Sequence, residues 1–366
     1  MIAKVRYRYL ERNDFLNKNN INKLNNFLYS GKYVSKNVRT DFENVVSKYL
    51  RSKYSLGVSS GTNAIYLALK ALNLNKNDEV IVPCLSWIST FTSVEMTGAK
   101  AIGVDINDDL SMNLNQIKSK ISKKTKAIIF VHFSGLTTDL TYLSNFCKKN
   151  KIYLIEDCAQ SFGGRINNKF SGTFGDFGAY SLNPMKVFSS IGEAGLITFK
   201  NKKYYKKIEI LRYAGILNKE ECIYPELNHK IDNIQCFILK HKIKDLNKII
   251  KKRIYIAELY EKKLTNKINK PIFKKNFSHV YYAYTIKTDK RDKLKKFLYN
   301  NKIETKIEHP YLICDHKPFK KKNKLINFRK GKQLRNKILS LPIDENMTKK
   351  EINYTIKKIN EFFKYE

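Results

Sequence analysis

Tyr54-Ser-Leu-Gly-Val-Ser-Ser-Gly-Thr-Asn-Ala-Ile-Tyr-Leu-Ala-Leu-Lys-Ala-Leu72 is the stretch that decides the fold. Residues 54–58 suit a short strand, residues 59–62 are small and hydroxylated, and residues 64–72 carry apolar side chains at helical spacing. Strand-like runs recur downstream. Residues 79–82 read as a strand ending at Pro83, and residues 101–104 as another ending at Asp105. Residues 127–131, 153–155, 178–181 and 196–199 continue the series. Short apolar strands separated by helical patterns predict an α/β domain with a mostly parallel sheet covered on both faces.

Upstream, residues 13–30 show helical spacing (Phe15, Ile21, Leu24, Phe27, Leu28) and are expected to stop near Gly31. Phe42, Val45, Val46 and Tyr49 mark a second amphipathic helix. After about residue 235 the texture changes. Residues 236–265 read as one long basic helix, 280–286 as a strand, 291–300 as a helix, the stretch through 330 as loop-rich, and 349–363 as a terminal helix. The expected organisation is a large domain over residues 1–235 and a smaller α+β domain over residues 236–366. There is no internal repeat.

Composition narrows the function. A chain of 366 residues with 42% hydrophobic content can bury a large core. No apolar run approaches the roughly 18 residues of a membrane helix. The start, Met-Ile-Ala-Lys-Val-Arg-Tyr-Arg, is followed by no apolar region and does not read as a secretory signal. Six cysteines (84, 147, 158, 222, 236, 314) form no Cys-x-x-Cys pair and no ligand spacing, so neither a metal site nor a disulfide framework is expected and a reducing cytoplasm fits. The net charge of +37 fits a polyanion partner or a drift toward lysine-rich composition. The basic residues are spread along the chain, with short clusters such as Lys320-Lys-Lys322 and no nucleic-acid-binding motif, which favours drift. No nucleic-acid or membrane partner is expected, and attraction of an anionic small substrate is a by-product of the charge.

Chemistry concentrates at the ends of the expected strands, where doubly wound sheets bind ligands. Ser59-Ser-Gly-Thr62 joins strand to helix and suits either a phosphate at the helix start or a plain N-cap. Asp157, in Ile155-Glu-Asp-Cys-Ala-Gln-Ser161, could hold a pyridinium nitrogen protonated or could cap a helix. Trp87, the single tryptophan, could stack on a planar ring or sit in the core, and Gln160 could meet a ring hydroxyl or be an ordinary first-turn residue. Lys186 lies between a Ser- and Pro-containing turn and the glycine cluster Gly192-Glu-Ala-Gly195. A lysine amine becomes a useful nucleophile when its pKa falls from about 10.4 toward neutrality, and an imine to an aldehyde cofactor is the common reason to build such a site.

Taken in order, these segments resemble the nucleotide-sugar aminotransferases of the DegT/DnrJ type, pyridoxal-phosphate (PLP) enzymes of the aspartate-aminotransferase fold (fold type I). The resemblance runs nearly the whole length, through Ser30-Gly-Lys-Tyr-Val34, Val58–Leu69, Asp78-Glu-Val-Ile-Val-Pro83, Val104-Asp-Ile106, Ile155–Gly163, Gly175–Ser181, Lys186 with Gly192–Gly195, and Leu339-Ser-Leu-Pro342. It implies that Lys186 bonds PLP as the Schiff-base lysine, Asp157 pairs with the ring nitrogen and Gln160 meets the ring hydroxyl. It implies further that Gly61, Thr62 and Ser181 hold the phosphate, that Trp87 stacks on the ring, and that Asn228 reaches the phosphate of a neighbouring subunit, hence a homodimer with shared sites.

By the same resemblance the enzyme moves an amino group, from L-glutamate, to an anionic keto-sugar, nucleotide-linked, for surface glycans such as capsule or lipopolysaccharide. A small phosphorylated ketone such as dihydroxyacetone phosphate is the alternative acceptor, and a regulatory or nucleic-acid-binding protein on the same scaffold is the rival of another class. The related sugar 3-dehydratases generally carry histidine in place of the Schiff-base lysine, so Lys186 separates this chain from them. Three departures mark the substrate side: Asn183 where the family often has histidine, Ala194 in the Gly-Glu-Gly-Gly segment, and Glu308-His-Pro-Tyr311 where His-Tyr-Pro is common. Asn183, His309 and Tyr311 are therefore the candidate substrate residues.

Overall fold

The computed structural model of the chain describes residues 3–12, 14–271, 278–320 and 327–365. Met1, Ile2 and the Lys321-Lys322 part of the lysine cluster lie outside the described residues.

Seven strands form the central sheet: β1 (Tyr54–Val58), β2 (Glu79–Pro83), β3 (Lys100–Val104), β4 (Thr125–Val131), β5 (Tyr153–Asp157), β6 (Phe177–Ser181) and β7 (Gly195–Phe199). Their order across the sheet is β1-β7-β6-β5-β4-β2-β3. The pairs β3/β2, β2/β4, β4/β5 and β5/β6 are parallel, and β7 runs antiparallel to both β6 and β1. The mostly parallel α/β sheet expected from the alternating runs is therefore present. Most strand residues are buried, consistent with a sheet covered on both sides.

Several helices start where the sequence supplies a side-chain cap. Asn17 accepts from the Asn20 amide and starts α1 (Lys18–Tyr29), so this helix begins later than residue 13 and stops just before Gly31, whose φ of 67° leaves the helical region. Ser35 caps α2 (Lys36–Leu50), and Ser60 caps α3 (Gly61–Ala71) by accepting from the Asn63 amide. Four further helices, α4 (Ser89–Glu95), α5 (Leu114–Lys120), α6 (Thr141–Lys149) and α7 (Lys203–Leu211), connect the strands.

The single long helix expected over residues 236–265 is two. Asp232 caps α8 (Asn233–Lys242), a 3-10 turn follows over Ile243–Asp245, and α9 (Leu246–Lys263) continues. The break lets Ile243, Leu246 and Ile249 join the core around Phe42 and Val46 of α2. The strand expected over 280–286 is also shorter. Tyr281 has a φ of 51°, which interrupts the extended chain, so β8 is Tyr284–Lys287 and pairs antiparallel with β9 (Ile338–Leu341). Around them pack α10 (Arg291–Asn300) and the terminal helix α11 (Lys349–Tyr365). Val5 and Tyr9 join this second core, while α8 packs on α2, so the two packing units do not divide the chain at one point.

One buried ion pair ties the first strand to its surroundings. Glu43 of α2 accepts from Arg212, with both side chains almost fully buried, and also from the Gly57 amide at 2.8 Å. Arg212 in turn donates to the Gly57 carbonyl at 3.1 Å. Removing one member of such a pair strands the other charge. Glu43→Ala is expected to destabilise the protein by about 3–5 kcal/mol, read as a lower denaturation midpoint; an unchanged midpoint would contradict this role.

Candidate active site

The register of the sheet brings the chemistry together. Asp157 ends β5 between Val131 and Ala179, and Ser181 ends β6 opposite Gly195, which pairs in turn with Val58. The turn after β1 therefore lies against the end of β6. The contact is close: a Cβ on Gly61 would stand 2.7 Å from the Ser181 Cβ, and one on Gly195 would stand 2.3 Å from the Ser60 carbonyl oxygen. The first turn of α3 thus faces Ser181, with free amides and the positive end of the helix dipole directed there. Thr62 Oγ1 donates to Ser89 Oγ at 2.8 Å.

A cavity of about 330 Å³ opens at this point. Gly61, Thr62, Trp87, Asp157, Gln160, Ser181, Asn183 and Lys186 all line it. Three other candidates do not. His309 stands behind Trp87, with ring centroids 6.2 Å apart, Tyr311 is exposed beside His316, and Asn228 lies on an exposed turn where its Oδ1 accepts from the Lys230 amide. His309 has a φ of 54° and its buried Nε2 has no hydrogen-bond partner among the described residues. Burial pushes its pKa down to about 4, so the ring is neutral near pH 7.

Lys186 contributes an amine to this wall. Its backbone amide donates to the Asn183 carbonyl at 3.0 Å, closing the turn that presents it. Its Nζ stands 4.6 Å from the centroid of the Tyr282 ring. Part of the side chain faces the cavity, but the surroundings of the amine are densely packed. That burial lowers its pKa to about 8, against the opposing pull of Asp157 and Glu308 and with help from Lys306 and Arg8. At pH 7 about 10% of such an amine is neutral, against about 0.03% at the ordinary value.

Asp157 is almost fully buried, and burial raises its pKa despite hydrogen bonds from the Ala159 amide (3.1 Å) and the Thr90 hydroxyl (3.0 Å) and the charge of Lys186. Thr90 spends its single proton on Asp157, so the Ser86 hydroxyl, 2.8 Å away, donates to Thr90. A raised carboxyl of this kind is at ease as an anion once a cation faces it. Gln160 accepts from the Ser134 amide through Oε1, which leaves its amide N–H groups as donors beside the cavity.

A buried cluster beside Asp157 is structural. His132 Nε2 lies 3.0 Å from Glu156 Oε2, and Cys158 is close to both. His132 Nδ1 accepts from the Thr138 amide, so Nε2 carries the proton and donates to Glu156. Glu156 also accepts from the amides of Gly172, Phe174 and Gly175, which fills its acceptor sites. A larger open groove of about 660 Å³ lies between residues 105–116 and 329–333. Its Asp105 is spent on the Lys330 and Gly331 amides and its Asp108 pairs with Lys330, so it offers no reactive group comparable to Lys186.

The DegT/DnrJ/EryC1/StrS aminotransferase family matches residues 14–360. The chain belongs to that family. It is 29% identical over 342 residues to a dTDP-3-amino-3,6-dideoxy-alpha-D-galactopyranose transaminase of Aneurinibacillus thermoaerophilus, covering 93% of this chain and 94% of that one. It is 32% identical over 302 residues to a 3-oxo-glucose-6-phosphate:glutamate aminotransferase of Bacillus subtilis, covering 80% and 68%. Among solved structures, NtdA of Bacillus subtilis with bound cofactor PMP superposes with a TM-score of 0.91 at 27% identity, covering 100% of this chain and 86% of that one.

This aminotransferase keeps several wall residues that sequence reasoning missed. Ser86, just before Trp87, and Thr90, in the first turn of α4, were hidden in a polar stretch, and nothing local marked them as partners of Asp157. Tyr282 and Lys306 come from the second half of the chain and carry no local signature. Arg8 is buried and donates to the carbonyls of Tyr282, Ile343 (2.6 Å) and Met185 (3.4 Å), which pins the N-terminal segment beside Lys186.

The residues fit a phosphate-bearing pyridine aldehyde: a glycine cradle too tight for a Cβ, a buried carboxyl and a buried amine share one cavity. Gly61→Ala is expected to weaken cofactor affinity by about 5- to 150-fold through the clash with Ser181. Equilibrium dialysis of the cofactor checks this, and an unchanged affinity would move the phosphate elsewhere.

Proposed function

We propose that this PLP-dependent aminotransferase transfers an amino group from L-glutamate to a nucleotide-linked keto-sugar for surface-glycan synthesis. The observation that carries the reading is the pairing, in one cavity, of a Lys186 amine lowered to about 8 with the buried Asp157 carboxyl. When bound, PLP supplies an electron-withdrawing ring that takes up charge from the substrate carbon. Gly61, Thr62 and Ser181 hold the phosphate, and the free amide of Gln160 donates to the ring hydroxyl. Trp87 covers the ring, and Asp157 keeps the ring nitrogen protonated. The Lys186 amine would take the proton from the donor's substrate carbon and deliver it to the cofactor carbon that receives the amino group, a general acid–base role that needs a pKa near neutrality.

The sugar part of the reading is supported by the Aneurinibacillus relative. The Bacillus relative, matched over 80% of this chain, supports a second reading in which the acceptor is a keto-sugar phosphate. A glutamate-dependent amination screen separates them: UDP-, dTDP- and GDP-keto-sugars in one arm, keto-sugar phosphates and small keto-phosphates in the other. Turnover confined to the second arm would overturn the nucleotide assignment.

The site is completed by a second copy in this proposal. Asn228 lies on an exposed turn outside its own cavity, and Leu227, Tyr29 and Val34 are exposed apolar side chains suited to an interface. Sedimentation of the cofactor-loaded protein as a monomer would sink this part. No helix among the described residues is long and apolar enough to cross a membrane. The cytoplasm, where the cysteines stay reduced, is the proposed compartment.

A further inference from the structure

Once the cofactor roles are assigned, Glu193 and Lys306 are the remaining charged side chains on the cavity wall among the described residues. Glu193 is exposed, 3.5 Å from Asn183. Lys306 differs because a buried partner holds it. Its Nζ stands 3.3 Å from Glu308 Oε1, with the lysine side chain 45% exposed and the glutamate 3% exposed. Glu308 also accepts from the Tyr7 hydroxyl at 3.1 Å. Burial alone would raise the Glu308 carboxyl; Lys306, His309 and the Tyr7 hydrogen bond outweigh it and hold the carboxyl below its ordinary value. Glu308 is therefore a fixed anion, and it fixes Lys306.

An ammonium has three donors, and Glu308 takes one of them. The others belong to a half-exposed head on the same wall as Lys186. An α-amino-acid donor such as L-glutamate carries a carboxylate on the carbon that bears its amine, one bond from the reacting centre. A cation held in place before binding anchors that carboxylate without the ordering cost of a free lysine. We infer that Lys306 is the anchor for the amino donor's α-carboxylate, with Glu308 as its positioning residue. The inference rests on the aminotransferase reading of the cavity.

The test uses cofactor-loaded wild type, Lys306→Met, Lys306→Arg and the double variant Lys306→Met/Glu308→Gln, which removes the stranded carboxylate. Calorimetric titration with glutarate, a dicarboxylate with no amine, reads anion binding apart from turnover. Single-turnover reactions with L-glutamate and L-alanine read the donor step. Lys306→Met and the double variant are expected to weaken glutarate and raise the half-saturating concentration of both amino acids about ten- to hundredfold, with the maximal single-turnover rate little changed and Arg retaining most of the affinity. Unchanged glutarate affinity and half-saturating concentration in the double variant would overturn the inference. So would weakened binding of inorganic phosphate with glutarate unaffected, which would assign Lys306 to the acceptor's phosphate. A cofactor-loaded wild type that binds no glutarate and converts neither amino acid overturns the donor reading itself, and the inference with it.

Discussion

Lys186→Ala is expected to purify folded, with no covalently held cofactor and with transamination reduced by about 10⁴-fold or more, since it loses the general base as well as the covalent attachment. Burial is what makes the residue reactive, so the wild-type amine has a second signature. In cofactor-free protein, its reaction with an amine-directed reagent should rise with pH to a midpoint of about 8, while exposed lysines titrate near their ordinary value. The sign follows from the direction of the shift: a lowered pKa means that the neutral, nucleophilic form appears earlier as pH rises. A midpoint near the ordinary value would show that the amine is solvated, and full turnover by Lys186→Ala would remove the residue from the chemistry.

The second large effect is expected at Asp157. Asn in its place keeps the size but not the charge that balances a protonated ring nitrogen. One of its two head atoms would also face a donor, either Thr90 or Ala159, with a donor of its own. Removing a preorganised charge partner of this kind lowers kcat by about 10²–10³. The absorbance of the bound cofactor should shift while the cofactor remains attached through Lys186. Activity within tenfold of wild type would show that the ring is not held by this carboxyl.

Much of the fold was legible because its strands are short apolar runs bounded by turn residues. Tyr54–Val58 matched to the residue, and the other sheet strands fell within a residue or two of the expected spans. The helices between them were harder. Leu114–Lys120 buries only Ile117, and Ser89–Glu95 is largely polar or β-branched, so neither shows much periodicity. The opposite error came at residues 236–265, where apolar spacing continues through Ile243 and hides the 3-10 turn before α9.

The wall of the site divides in the same way. Asp157, Ser181 and the turn at residues 59–62 follow strand ends, so the topology itself places them in the cavity. Residues whose position depends on long-range packing were not readable: Arg8 reaches the Tyr282 carbonyl across 274 positions, and Thr90 reaches Asp157 across 67. His309 and Tyr311 illustrate the limit on the substrate side. They belong to the altered segment, yet His309, in a left-handed conformation, stands behind Trp87, and Tyr311 is exposed beside His316. Lys306, just before that segment, lines the cavity with its buried partner Glu308 behind it, and no local pattern announces a lysine fixed by a carboxylate two residues on.

The most direct test of the central claim is borohydride reduction of the cofactor-loaded protein followed by peptide mapping. Reduction fixes the cofactor to whichever amine holds it. The structure predicts one phosphopyridoxyl label, on the peptide containing Lys186. A label on any other lysine, or none in protein that carries the cofactor, would contradict the account.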